Sequence, residues 1–195
     1  MRNVVVVENL SLDGVMQAPG RADEDERGGF GYGGWASDIL SREPQAVRAS
    51  MGDTGGSAEM LFGRRTYLDV VGHWLSTPDP NPFTDILRNT TKYVASRTLN
   101  DALPYPNSVL LDGDAVEAVR ALKAEGDDDV IVLGSGDLVR QLAAARLVDE
   151  YRLTVLPVVL GAGTRLFGDT HTELQPMSAQ SFPSGIFVGR FRVLR

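Results

Sequence analysis

Two short apolar runs constrain the fold of this chain more than any other feature of its sequence. Val4–Val7 is a run of valines, and Val130–Leu133 reads Val-Ile-Val-Leu. Continuous β-branched runs of this length predict strands that are buried on both faces, as in the middle of a parallel sheet. Each run opens into a glycine-containing turn, Ser11–Gly14 after the first and Gly134–Gly136 after the second. The sequence therefore predicts a parallel sheet covered on both sides.

Strand-like and helix-like segments alternate through the middle of the chain, and this pattern predicts right-handed crossovers with helices on both faces of the sheet. Short turns near the C-terminus predict antiparallel edge strands. We therefore expect a single α/β domain over residues 1–195. The further predicted strands are Ala58–Phe62, Lys92–Ala95, Ser108–Leu111 and Tyr151–Val155, with a closing pair around Leu166–Phe167 and Ile186–Leu194. The predicted helices are Ala36–Met51 with a restart near Ser41, Thr66–Val71 ended by Gly72, a turn at Asp85–Arg88, a helix capped by Asp112, and Asp137–Arg146.

The region from Gly14 to Gly34 contains seven glycines, a proline and an acidic run. Loops of this length inside a compact domain are usually functional or mobile. We therefore expect an irregular functional loop in this region.

Charge and composition exclude several classes of protein. The net charge is −7, the wrong sign for a general nucleic-acid binder, because phosphate contacts need a concentrated basic face. No apolar run approaches the roughly eighteen residues of a membrane span, and the first residues do not resemble a signal peptide. The absence of cysteine removes disulfides, thiol nucleophiles and cysteine-ligated zinc. These features predict a cytoplasmic protein with neither a membrane nor a nucleic-acid partner.

One turn combines glycine, arginine and threonine between a predicted strand and a predicted helix. In Gly63-Arg-Arg-Thr66, the start of the helix offers unpaired N–H groups and the positive end of a dipole, which suit a phosphate. Thr66 could add a hydroxyl, and Arg64 or Arg65 could add a planar set of donors. The alternative is an ordinary glycine turn with two surface arginines.

Three further glycine- or hydroxyl-bearing segments follow apolar strands. Ser96-Arg97-Thr98 suits the ribose phosphate of a nucleotide, although a polar turn is the alternative. The glycines of Gly134-Ser-Gly136 let the backbone approach a diphosphate, although a tight strand-to-helix turn would look the same. This segment lacks the Rossmann fingerprint, because Val139 stands where a third glycine would fall. Val159–Phe167 is interpreted as a hairpin or as part of a substrate pocket.

Other chemistries find no support in the residues. The chain has no Gly-x-x-x-x-Gly-Lys-Ser/Thr loop, and it lacks the cysteines of a zinc deaminase. His73 and His171 lie far apart without further ligands at metal-binding spacing, so no metal site is predicted. His73 follows Gly72 and is interpreted as capping the end of a helix.

Taken in order, these motifs resemble the dihydrofolate reductase-like superfamily. The resemblance is strongest to the branch that contains the reductase domain of the bifunctional riboflavin-biosynthesis deaminase–reductase and its stand-alone bacterial relatives. Five segments in order carry it over nearly the whole chain. They are Ser11-Leu-Asp-Gly14, Leu61-Phe-Gly-Arg-Arg-Thr-Tyr67, Tyr93-Val-Ala-Ser-Arg-Thr98, Val130-Ile-Val-Leu-Gly-Ser-Gly136, and Leu147–Pro157 continuing through Gly161-Ala-Gly163 to Phe167.

The resemblance implies hydride transfer from NADPH and a sheet of about eight strands, often in a homodimer. It implies that the Gly63–Thr66 turn holds the diphosphate and the adenosine phosphate, and that Arg97 favours NADPH over NADH. It also implies a mobile loop over the nicotinamide that begins at Asp13. The implied cofactor contacts are Gly14, Val15, Gly63, Arg64, Thr66, Ser96, Arg97, Gly134, Ser135, Gly136, Asp137 and Leu138.

The substrate stays open at this point. The first interpretation is a reductase of a small polar heterocycle or carbonyl compound, nearest in type to 5-amino-6-(5-phosphoribosylamino)uracil, with Asp13, Asp38 and Thr154 as substrate-side candidates. A pterin, dihydrofolate or xenobiotic reductase is the alternative among enzymes. Dihydrofolate reductases place a carboxylate on the first helix, and here no motif fixes Asp38 or Glu43 in that role. The alternative from another class is a non-catalytic nucleotide-binding module, and a flavin in place of NADPH also remains open.

Overall fold

The computed structural model of the protein describes residues 2–51, 58–99 and 102–195. The chain divides into two compact units, one formed by Met1–Val5 with Thr54–Leu147 and the other by Val6–Asp53 with Val148–Arg195. The expectation of a single domain stays a prediction. The glycines of Gly52–Gly56 also predict a break after the helix that ends at Met51, and this segment lies outside the described residues.

The described strands form an eight-stranded sheet in the order β4-β3-β2-β5-β1-β6-β8-β7. Strands β2, β3, β4 and β5 pair in parallel, whereas β8 pairs antiparallel with both β6 and β7. This confirms the predicted fold class, a mostly parallel α/β sheet with antiparallel C-terminal edge strands. The strands are β1 (Val4–Ser11), β2 (Glu59–Gly63), β3 (Lys92–Ala95), β4 (Ser108–Leu111), β5 (Val130–Leu133), β6 (Glu150–Leu156), β7 (Leu174–Ser181) and β8 (Phe187–Val193).

Seven α-helical segments accompany the sheet in the described part of the chain, and a π-helical turn at Tyr67–Val71 joins α3 to α4. The predicted restart is confirmed, since the first helix ends at Ser41 and the next begins at Pro44. Proline is tolerated there because the first turn of a helix has no partner for its N–H group. The segments are α1 (Ser37–Ser41), α2 (Pro44–Met51), α3 (Arg64–Thr66), α4 (Gly72–Ser76), α5 (Pro82–Asn89), α6 (Ala115–Ala124) and α7 (Gly136–Ala144).

In the first unit, four parallel strands place their carboxyl ends at one edge. Gly63 pairs in register with Ala95, and Ala95 pairs with Leu111. Leu61 pairs with Val132, so β2 and β5 also end at nearly the same level. The loops that follow these strands therefore begin side by side, which is where open α/β sheets bind ligands.

The second unit packs α1 and α2 on the antiparallel strands. Its apolar cluster joins Ala36 and Ala46 to Leu156, Ile186 and Val188, all buried. Burial of such side chains is the main stabilising contribution to folding, at roughly 25 cal/mol per Å² of apolar surface.

The helix predicted to stop at Gly72 continues through it. A Cβ at Gly72 would clash with the hydroxyl of Tyr105, which donates to the carbonyl of Leu68 at 3.4 Å. A larger residue at this position would therefore push the end of the Tyr105 side chain away from Leu68. His73, interpreted as a cap, lies within α4.

Three other sequence-based expectations are wrong. Asp114, and not Asp112, caps α6, because Gly113 adopts a φ of 73° and delays the start of the helix. The C-terminal antiparallel pair is β7 with β8, so Leu166–Phe167 is not one of its strands. The predicted hairpin at Val159–Phe167 is an irregular loop whose bridge is between Arg165 and Val15.

Candidate functional site

Two of the predicted phosphate-binding turns of the first unit are joined directly by hydrogen bonds. The backbone N–H of Gly63 donates to the Ser135 hydroxyl oxygen at 2.9 Å, and the backbone N–H of Ser135 donates to Thr66 Oγ1 at 3.0 Å. Ser135 Oγ in turn donates to the carbonyl of Leu133 at 3.2 Å. Residues about seventy positions apart in sequence thus form one local structure, which we call the twin turn (Gly63–Thr66 and Gly134–Gly136).

The backbone of the second half of the twin turn requires a glycine. Gly134 and Ser135 have φ values of 56° and 61°, in the left-handed region. A Cβ at Gly134 would lie 2.8 Å from Thr66 Cγ2, closer than packed side chains allow. Gly134 therefore permits the two turns to approach, as its position after an apolar strand predicts.

The N-terminus of α7 has no side-chain cap, because the hydroxyl of its N-cap residue Ser135 is engaged with Gly63 and Leu133. In the same unit, α5 and α6 are capped by Asn81 and Asp114. An uncapped helix start leaves backbone N–H groups and a partial positive charge for an anion. These groups belong to Gly136, Asp137 and Leu138, three of the predicted cofactor contacts.

Arginines border the twin turn at the same edge of the sheet. Arg64 and Arg97 are exposed and follow directly on β2 and, after Ser96, on β3. The Ser96 hydroxyl oxygen accepts from the N–H groups of Thr98 and Leu99 at 3.1 and 3.0 Å, which fixes the turn that carries Arg97. The register of β2 with β3 places the two arginine-bearing turns on neighbouring strand ends.

In the second unit, hydrogen bonds surround Asp13. Its carboxylate accepts from Ser11 Oγ at 2.7 Å and from the N–H groups of Leu160 and Gly161 at 3.0 and 2.9 Å. These donors, Ser11 first, lower the pKa of Asp13 to about 2. Arg165 adds a bond from Nε to the Asp13 carbonyl at 2.8 Å. Asp13 is therefore a carboxylate at neutral pH.

Gln17 connects three further segments of the second unit. Its Oε1 accepts from the N–H and the hydroxyl of Thr164 at 2.9 and 3.1 Å. Its Nε2 donates to the carbonyls of Asp25 and Arg27 at 3.1 and 3.0 Å, and its own carbonyl accepts from Trp35 Nε1 at 2.8 Å. The predicted loop Gly14–Gly34 is irregular, and this buried glutamine ties it to the rest of the unit.

The other predicted residues of the second unit have differing environments. The N–H groups of Gly14 and Val15 donate to the carbonyl and the hydroxyl of Ser11, and the Val15 side chain is fully buried. Asp38 is exposed in the first turn of α1. Thr154 is buried in β6, and its hydroxyl has no hydrogen-bond partner among the described residues. Their predicted roles in binding and catalysis stay predictions.

Sequence reasoning missed Gln17, Thr164 and Ser11 as organising residues. The partners of Gln17 in the C-terminal loop are 147 positions away, so no local spacing pointed to them. Among the described residues, no helix has the length and apolar composition of a membrane span.

Comparison with known proteins places the chain in a family. The sequence profile of the RibD C-terminal domain matches residues 2–188. The chain belongs to the RibD C-terminal domain family. It is also 30% identical over 133 residues to the uncharacterized protein YyaP of Bacillus subtilis, a match that covers 65% of this chain and 69% of YyaP.

Solved structures share the fold of this RibD C-terminal domain. A putative riboflavin biosynthesis protein from Shewanella superposes over the full length of both chains, with a TM-score of 0.69 and 21% identity. A deaminase/5-amino-6-(5-phosphoribosylamino)uracil reductase from Thermotoga maritima matches 99% of this chain and 57% of its own length, with a TM-score of 0.62 and 16% identity. A dihydrofolate reductase from Enterococcus faecalis, complexed with NADP(H), matches 99% of this chain and 97% of its own, with a TM-score of 0.58 and 12% identity. The fold is therefore dihydrofolate reductase-like.

Proposed function

We propose that this RibD C-terminal domain is an NADPH-dependent reductase whose twin turn binds the diphosphate of the cofactor. The observation that carries the proposal is the uncapped N-terminus of α7, whose N-cap Ser135 is held by Gly63 and Thr66. A diphosphate would accept hydrogen bonds from the N–H groups of Gly136, Asp137 and Leu138 and would be favoured by the helix dipole. Thr66 Oγ1 accepts from Ser135, so its own hydrogen can be donated to a phosphate oxygen.

The preference for NADPH over NADH is assigned to the arginines at the same edge. The two cofactors differ by one phosphate on the adenosine ribose, and a guanidinium binds phosphate through paired donors. Arg97 and Arg64 are exposed on neighbouring strand ends and can supply these donors.

NADPH would supply the hydride, and the protein would bind, orient and exclude water from the reacting groups. Because the pKa of Asp13 is held at about 2, this residue is a poor proton donor at neutral pH. The nearest substrate type is a ribosylaminopyrimidine of riboflavin synthesis, which is supported by membership in the RibD C-terminal domain family. Asp38 and Thr154 remain the substrate-side candidates.

A pterin reductase of the dihydrofolate type receives less support. The acidic candidate on the first helix, Asp38, is exposed to solvent, and no motif fixes it in the role of the dihydrofolate reductase carboxylate. A non-catalytic nucleotide-binding module would have the same twin turn, so turnover must separate it from an enzyme.

The test is a calorimetric titration of the wild-type protein and of Arg97→Ala with NADPH and NADH. We expect the wild type to bind NADPH roughly tenfold or more tightly than NADH, and the preference to be lost in Arg97→Ala. Arg120→Ala, which removes an exposed arginine of α6, serves as the matched control and should behave as wild type. Absence of NADPH binding by the wild type would overturn the proposal.

A substrate screen follows a positive titration. Oxidation of NADPH in the presence of aminopyrimidines, pterins or quinones would establish the enzyme and its substrate class. Tight binding of NADPH with no turnover of any of these would support the non-catalytic module. The predicted homodimer is tested in the same samples by sedimentation equilibrium.

A further inference from the structure

Two segments of the second unit, residues 11–17 and 158–166, are joined along their length, and we call this arrangement the clasp. The backbone N–H of Leu12 donates to the carbonyl of Val158 at 2.8 Å, and that of Met16 donates to the carbonyl of Thr164 at 2.9 Å. In the opposite direction, the N–H of Leu166 donates to the carbonyl of Gly14 at 3.1 Å. Side chains link the two segments at three points, through Asp13, Gln17 and Arg165, whose Nε donates to the Asp13 carbonyl.

Asp13 lies in the Ser11–Gly14 turn, and its carboxylate bonds to both segments of the clasp. Its Oδ1 accepts from Ser11 Oγ and from the N–H of Leu160, and its Oδ2 accepts from the N–H of Gly161. Ser11 Oγ also accepts from the N–H of Val15 at 2.9 Å. One carboxylate therefore fixes the loop after β6 directly and the Gly14–Val15 backbone through Ser11.

We propose that Asp13 is a positioning residue that holds the clasp closed, and that it does not deliver a proton to a substrate. Both carboxylate oxygens are turned toward hydrogen-bond donors of the protein, two of which are backbone N–H groups that cannot reverse their direction. Oδ1 already accepts two hydrogen bonds, and Oδ2 accepts one and faces Arg165 Nη2 at 3.5 Å. An acid hydrogen would therefore either displace one of the three donors or face the Arg165 guanidinium, so protonation would weaken the clasp. A proton donor requires the opposite arrangement, with its O–H directed at the reacting atom.

This inference rests on the proposed function in one respect. The predicted contacts of Gly14 and Val15 lie at the nicotinamide end of the cofactor, so loosening them should weaken binding of the whole dinucleotide. It should leave binding of the adenosine half unchanged. Adenosine 2′,5′-bisphosphate, which has no nicotinamide, is the probe for that half.

The first measurement is amide hydrogen exchange of the protein without ligand. In Asp13→Asn the side-chain NH₂ group would face an N–H donor, so we expect the amides of Leu160 and Gly161 to exchange about tenfold faster or more, with β2 and β5 unchanged. Ser11→Ala should have the same effect to a smaller degree. Asp169→Asn, an equal change of charge at an exposed position of the same loop, should exchange as wild type.

The second measurement is calorimetric titration of the same variants with NADPH and with adenosine 2′,5′-bisphosphate. We expect Asp13→Asn to weaken NADPH binding roughly fivefold or more and to leave the bisphosphate within about twofold of wild type. Unchanged exchange together with unchanged NADPH binding would overturn the inference, as would equal weakening of both ligands, which indicates general loss of structure. If the wild type binds neither ligand, the proposed function fails and the cofactor half of the inference fails with it, whereas the exchange measurement still decides whether Asp13 holds the clasp.

Discussion

The twin turn and the clasp both follow strands, and both contain polar side chains of the kinds found in catalytic sites. They differ in whether their hydrogen bonds leave donor groups available for a ligand. In the twin turn, Ser135 and Thr66 bond to the protein and thereby leave the start of α7 uncapped. In the clasp, Asp13 and Gln17 are occupied by donors and acceptors of the protein itself. The type of a residue therefore does not identify it as a binding group until its existing partners are known.

Among these substitutions, loss of the Gln17 side chain from the clasp should reduce stability the most. Gln17→Leu would remove a buried amide that accepts from the N–H of Thr164 and donates to the carbonyls of Asp25 and Arg27, although the Arg27 carbonyl keeps its bond from the N–H of Phe30. We expect the free energy of unfolding to fall by about 4 kcal/mol, measured by urea denaturation. Gln180→Leu on exposed β7 is the control and should change it by less than about 0.5 kcal/mol. A similar small effect at both positions would contradict the role given to Gln17.

Alkaline pH should affect the unit that carries the twin turn. Lys92 is fully buried in β3, where burial lowers its pKa from 10.5 to about 8. Between these values the unfolded chain binds a proton that the folded chain does not, so the free energy of unfolding should rise with pH, by up to about 3 kcal/mol. Burial raises the pKa of Tyr151 to about 12, so above pH 10 this group should lower the free energy of unfolding as pH rises.

The measurement for Lys92 is urea denaturation at several pH values from 7 to 10, compared with Lys92→Met. The variant should lose the rise above pH 8, although it also loses the bonds from Nζ to the carbonyls of Leu87 and Thr90. An equal rise in both proteins would assign the effect to another group.

The clasp should lose stability at acidic pH, since the stabilisation from ionised Asp13 is lost as pH falls from about 4 toward 2.

A smaller effect is expected where the two halves of the twin turn touch. Gly134→Ala would force a left-handed residue with a side chain against Thr66 Cγ2, and we expect a loss of about 2 kcal/mol in stability. NADPH affinity should fall about tenfold, since the turn must move. Adding Thr66→Ser removes the clashing methyl group, keeps the hydroxyl that Ser135 uses, and should restore part of both losses. Full NADPH affinity in Gly134→Ala would contradict the twin turn as the binding site.

The smallest effect separates an ordinary helix cap from the uncapped helix. Asp114 accepts from the N–H groups of Val116 and Glu117 at 2.9 and 3.2 Å. Asp114→Ala should reduce stability by about 1 kcal/mol in thermal denaturation and leave NADPH affinity unchanged. A loss of NADPH affinity in this variant would mean that binding depends on more of the first unit than the twin turn.

The sequence predicted the parts of the molecule that local patterns determine. The buried runs at Val4–Val7 and Val130–Leu133 are strands, and the glycine turns at Gly63 and Gly134 follow strands as expected. Gly72 was misinterpreted as the end of a helix because its packing against Tyr105, from a different loop, cannot be read from the local sequence. The start of α6 was misplaced by two residues because Asp112 and Asp114 are the same residue type on either side of Gly113.

The candidate site was predictable in its residues and not in its connections. Thr66 and Ser135 were recognised as members of separate turns, but their hydrogen bond follows from the register of β2 with β5. Asp13 was recognised as part of a motif, and only its donors Leu160 and Gly161 indicate that it holds a loop. Such pairings depend on tertiary packing, which spacing along one chain does not encode.

The proposed function depends on binding of the NADPH diphosphate at the uncapped start of α7. An amide NMR titration of isotope-labelled protein with NADPH tests it most directly. We expect the backbone N–H signals of Gly136, Asp137 and Leu138 to shift most strongly and to saturate at the concentration found by calorimetry, while those of Val116 and Glu117 in capped α6 stay in place. Saturable binding that leaves the three α7 signals unmoved would mean that the diphosphate does not bind at the start of α7.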